Sequence, residues 1–132
     1  MNVDRIEKVF PLGAILFGSM TNIITIIVFS TILSLLTELG WAGAANWPEQ
    51  SMHLLIIFAA VIVGAIIAGW KSQHNGWIAG LGVGIITAIF LLVLAMISKT
   101  PVNYGVFLVK TLICSFIGVF GGIIGVNLSS SR

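Results

Sequence analysis

Apolar residues in this chain fall into four long runs separated by short polar breaks. The runs cover approximately residues 11–37, 52–70, 77–97 and 105–126. Each meets the roughly 17 to 25 residues that an α-helix needs to cross a bilayer. None alternates with the two-residue period of a barrel strand, and an open strand at membrane depth would leave backbone groups unpaired. The pattern therefore predicts an all-α fold: a polytopic membrane protein with four transmembrane helices in a compact, glycine-rich bundle, forming a single domain over residues 1–132. Pro11 suits the first helical turn, where its missing N–H is not needed.

Within the apolar runs small residues recur four apart. Gly64 and Ala68 share one helical face and Ala65 and Gly69 the next, while Gly76, Gly80 and Gly84 line a face of the third run. Between them lies the polar turn Lys71-Ser72-Gln73-His74-Asn75, so the second and third helices are expected to form a tight central hairpin. In lipid, where dispersion and shape drive association, such faces let backbones approach closely. Gly118, Gly121, Gly122 and Gly125 repeat this on the fourth helix, able to dock on the second or third helix or on another copy. Gly costs about 1 kcal/mol relative to Ala in a helix in water, so this density requires close packing to offset it.

Composition sharpens the membrane reading. Of 132 residues, 58% are apolar and 8% charged, with a mean hydropathy of +1.16, against about 25% charged in a soluble domain. The net charge of +2 comes from few charges, mostly in tails and turns, and no basic face with interleaved aromatics argues for nucleic acid. The first run is far longer than the roughly 7 to 15 residues of a signal-peptide core, so it reads as an uncleaved anchor even though Ala42-Gly43-Ala44 resembles a cleavage site. Four spans place Arg5, Lys8, Lys71 and Arg132 on one side, against Lys99 and an outward-reaching Lys110 on the other. This predicts a multi-pass cell-membrane protein with both termini cytoplasmic. Trp41 and Trp47 flank the first loop and Trp70 and Trp77 bracket the central turn, as interfacial belts would. The first loop, residues 38–51, is expected to be irregular or briefly helical, and the tail from Ser129 to Arg132 mobile.

A faint internal echo relates Gly18 and Ile23-Ile24-Thr25 to Gly80 and Ile85-Ile86-Thr87, and Gly64–Ala68 to Gly121–Gly125. A duplicated hairpin would explain it, but coincidence in so narrow an alphabet explains it better.

The set Gly64, Ala68-Gly69, Lys71, Gly76-Trp77, Gly80 and Gly84, followed by Gly118, Gly121-Gly122 and Gly125-Val126-Asn127, resembles the small four-helix membrane proteins of Firmicutes grouped as the YrzE-like, DUF3792 family. The likeness runs from the second helix onward, and the first helix matches only in hydropathy. The resemblance implies no established activity and no catalytic residues. Members tend to be encoded near protein-export accessory genes, which hints at a partner.

Three polar residues are the candidates for intramembrane chemistry. Lys110 lies inside the fourth run; an ionisable group there is a functional candidate by default, yet its long stem can snorkel to the headgroups, or it can pair with Glu38 at the outer end of the first helix. Asn22 is a carboxamide at membrane depth, which seeks a partner on another helix. The first helix also carries Ser30, Thr31, Ser34 and Thr37 near its outer end. They could line a water path, although such hydroxyls commonly bond the preceding turn.

His53 and His74 are placed on opposite sides of the membrane, with no ligand-spaced neighbours, so no metal site is expected. Cys114 is a lone small hydrophobe. The Gly-x-Gly at Gly80 and Gly82 follows no strand, so it does not suggest a dinucleotide, and no cofactor is expected. No nucleophile and base stand together, so no enzyme is expected either. The chain is expected to contact membrane lipid and to act as a noncatalytic packing, assembly or accessory subunit, as a homo-oligomer or within a larger membrane complex. A small oligomeric transporter or channel is the alternative.

Overall fold

The computed structural model describes residues 10–40 and 49–130, and the side chains of 10–40 and 51–130. The expectations for Trp41, Trp47, the middle of the first loop, and the N-terminal charges lie outside the described residues. Among those described, four helices follow in order: α1 Leu12–Glu38, α2 Glu49–Ser72, α3 Gly76–Ile97 and α4 Tyr104–Ser130. All four are long and apolar enough to cross a membrane, and the chain is a multi-pass membrane protein.

Local chemistry sets the ends. Pro11 caps α1 with its carbonyl, which accepts from the Ile15 N–H at 3.0 Å. The Asn103 Oδ1 accepts from the Gly105 N–H at 3.1 Å, so a polar side chain satisfies an amide of α4's first turn that has no partner within the helix. α3 ends in a Schellman arrangement: the Thr100 N–H donates to Ala95 O at 3.1 Å and the Lys99 N–H to Met96 O at 3.2 Å, with Lys99 in the left-handed region at φ 50°. That conformation usually falls to glycine. At the other end α4 outruns its apolar stretch. Helix continues through Ser130, whose hydroxyl donates to Val126 O at 3.2 Å, so Ser129 and Ser130 belong to the helix and not to a mobile tail.

The α2–α3 hairpin is central, as the turn and its flanking stripes suggest, and both helices touch α1 on one side and α4 on the other. Its glycines, however, face outward to those flanking helices. Gly64 and Ala68 of α2 meet Gly18 and Asn22 of α1, whereas Ala65 and Gly69 meet Gly121 and Gly122 of α4. Gly76, Gly80 and Gly84 of α3 lie against Gly122, Gly118 and Cys114 of α4. The expected hairpin is therefore held less by its own two stripes than by what those stripes admit on either side. Helical geometry explains this: positions i and i+1 point about 100° apart, so two adjacent small-residue rows on α2 serve two different neighbours.

Packing is uneven along the length of the bundle. Among the described side chains, every buried residue of α1 lies between Ala14 and Ile26, those of α2 between Ala60 and Gly69, those of α3 between Gly76 and Ala88, and those of α4 between Cys114 and Gly125. All of these fall in or next to the half of the bundle that carries the α2–α3 turn. In the opposite half no described side chain is buried.

Candidate functional site

At the turn end most of the glycines approach the backbone of a neighbouring helix. A Cβ on Gly18 would stand 2.7 Å from Gly64 O, and one on Gly64 would stand 2.8 Å from Gly18 O. Real Cβ atoms do not come so near. Gly80 and Gly118 are reciprocal in the same way across α3 and α4, as are Gly76 and Gly122. Gly125 rests on the backbone of Ile66 and Trp70, and Gly121 on the Ala65 side chain and Ile62. The small-residue face of α4 is therefore occupied within the chain, which leaves it unavailable to a second copy.

Asn22 is sealed at the centre of this packed half. Its Nδ2 donates to the Thr87 hydroxyl of α3, and that hydroxyl donates onward to Val83 O at 2.7 Å. Neither side chain is exposed. The Asn22 Oδ1 has no hydrogen-bond partner among the described residues. Asn22 thus finds the interhelical partner its chemistry calls for. Thr87 was visible only as part of a repeated tripeptide, and nothing in its apolar surroundings distinguishes it from Thr25, whose hydroxyl simply bonds Thr21 O at 2.8 Å. The two halves thus use this echoed position differently.

The other hydroxyls of α1 largely satisfy themselves. Ser19, Thr21, Thr31 and Thr37 each donate to the carbonyl four residues earlier, at 2.7 to 2.9 Å. Glu38 is exposed at the last position of α1. It does not pair with Lys110, because α1 and α4 lie on opposite sides of the hairpin and share at most marginal contact.

Lys110 is half-buried and lines a cavity of about 480 Å³ in the open half of the bundle. The walls come from α2 (Leu54, Ile57, Phe58), from α3 (Ala88, Leu91, Ala95), from the connecting residues 100–103, and from the first turns of α4 down to Cys114. A second crevice of about 300 Å³ separates α1 from α2 between Thr25, Phe29, Leu55 and Ala59. At the turn end Lys71 Nζ sits 4.1 Å from the centre of the Phe17 ring. Trp70 and Trp77 beside it are about half exposed, as interfacial side chains are. Among the described residues no cluster of His, Cys, Asp and Glu could hold a metal.

A family model described as "Protein of unknown function (DUF3792)" matches residues 11–125. The chain belongs to this family. No curated protein and no solved structure matches it. The DUF3792 match reaches into all four helices and includes each of the glycines that meet backbone at the turn end, together with Asn22, Thr87 and Lys110.

Proposed function

We propose that this DUF3792 protein is a noncatalytic subunit of the cell membrane, anchored by its packed end and joined to a partner helix through the open half of α1. One observation carries the reading. From Ile27 to Glu38 α1 has no buried residue, and the hydroxyls of Ser30 and Ser34 make no hydrogen bond among the described residues. Exposed apolar side chains need only lipid, but polar groups at membrane depth favour a helix that can bond them. Because the glycine faces are already filled by the chain's own helices, α1 is the face left for assembly. A membrane component of protein export is the partner suggested by the family resemblance. The charge distribution supports cytoplasmic termini, with Lys71 on their side and Lys99 across the membrane.

A photoreactive residue at Ser34, compared with one at Phe120 on the outward face of α4, tests this in native membranes. Protein adducts at position 34, in fixed ratio and absent at position 120, are expected. Lipid adducts alone at both positions would remove the assembly reading. The transporter alternative has less to draw on, since Asn22 and Thr87 are closed to water.

A further inference from the structure

We propose that the Lys110 cavity is a binding site for an anionic membrane lipid, with Lys110 on the headgroup phosphate and an acyl chain in the cleft between α2, α3 and α4. The inference does not rest on the assembly reading, because the cavity lies on the far side of the hairpin from α1.

Size, lining and charge point to the same occupant. About 480 Å³ falls within the roughly 300 to 1,000 Å³ of small-molecule pockets. The inner wall is hydrocarbon and aromatic, from Leu54, Ile57, Phe58, Leu91 and Phe107, and suits a chain rather than a water-soluble anion. Among the described residues Lys110 is the only charged one in the lining, and it makes no ion pair with another of them. An intramembrane cation facing a cavity is normally paired with an opposite charge or with backbone carbonyls. Among the described residues the cavity wall supplies no opposite charge, and an anionic headgroup would provide the match. The polar part of the lining, Thr100 and Asn103, lies between the end of α3 and the start of α4, where a helix that spans a bilayer would end near the headgroups. A snorkelling Lys110 and a lipid-binding Lys110 are then the same side chain in one position, the second with a fixed ligand.

The test uses the full chain in neutral detergent, mixed with phosphatidylglycerol or with phosphatidylcholine of the same acyl chains, and counts retained lipid by native mass spectrometry. Phosphatidylglycerol should be retained in preference. Lys110→Gln should reduce that preference by about tenfold, the scale of one charge-assisted contact, while Lys110→Arg keeps it. Ala95→Trp, which fills the cavity from the α3 side and leaves the lysine in place, should expel both lipids. Circular dichroism of each variant separates loss of binding from loss of fold. Glycerol phosphate should fail to displace the lipid. Unchanged preference in a folded Lys110→Gln, or unchanged retention in a folded Ala95→Trp, would overturn the proposal. So would glycerol phosphate binding with no preference between the two lipids, which would make the ligand a free phosphate. Recovery of a membrane protein bound at the cavity in place of lipid would overturn it as well.

Discussion

The Asn22 carboxamide donates to the Thr87 hydroxyl, tying α1 to α3 at a level of the bundle where neither side chain is exposed. The bond leaves the Asn22 Oδ1 unpartnered, so the pair joins two helices while retaining one unsatisfied acceptor. Thr87→Val strands the amide donor too and should destabilise the fold by about 1 to 3 kcal/mol. Asn22→Ala removes the unpaired oxygen together with the bond and should cost less. In a double-mutant cycle the coupling should be positive, about 0.6 kcal/mol and at most about 1.7, as for other interhelical hydrogen bonds in membranes. Reversible unfolding in mixed micelles measures it, and strict additivity would contradict the bond.

Glycines in this chain are not interchangeable. A methyl at Gly80 would run into the Gly118 carbonyl oxygen, whereas Gly13 has nothing within 4 Å of the same position. Gly80→Ala should therefore force α3 and α4 apart and destabilise by about 1 to 3 kcal/mol. Gly13→Ala should stabilise α1 by up to about 1 kcal/mol. Opposite signs for the same chemical change, read from melting in one detergent, are the expected outcome.

Lys99 occupies a place that glycine fills in most helices ending this way. With its φ in the left-handed region, Lys99→Gly should relieve about 1 kcal/mol of strain and raise the melting temperature. Lys99→Val should lower it, because a β-branched side chain resists that conformation. Equal stability of the two variants would mean that the α3 end adopts another geometry in lipid.

Cys114 is 3% exposed, and it lines the Lys110 cavity. A small neutral thiol reagent should modify it in the folded protein, and a bulky maleimide should react only after unfolding. Mass spectrometry with each reagent, before and after denaturation, checks this. Rapid reaction with the bulky reagent would indicate a wider cleft than the helices enclose.

How far the sequence reaches depends on what each residue needs. Four spans follow from hydropathy because crossing a bilayer is a one-dimensional requirement on a stretch of chain. The Gly64 and Gly69 rows are likewise visible as faces. Which helix each face meets is not, since that depends on the rotation of α2 between two neighbours, set jointly by Gly18 on one side and Gly122 on the other. Asn22 announces a need for a partner, yet Thr87 has no feature that announces the supply. Lys110 stands out as a charge in an apolar run, while its cavity arises only where three helices diverge.

Opening of this molecule has a direction. Backbone-to-backbone contact draws the helices together beside the α2–α3 turn, and two clefts part them at the far end. Amide hydrogens of residues 28–38 and 104–112 should therefore exchange long before those around Gly64, Gly80 and Gly122, as expected where buried contacts are few. The fold would fray from its loops and hold longest at its hairpin, so whatever binds in the clefts closes the end at which unfolding begins.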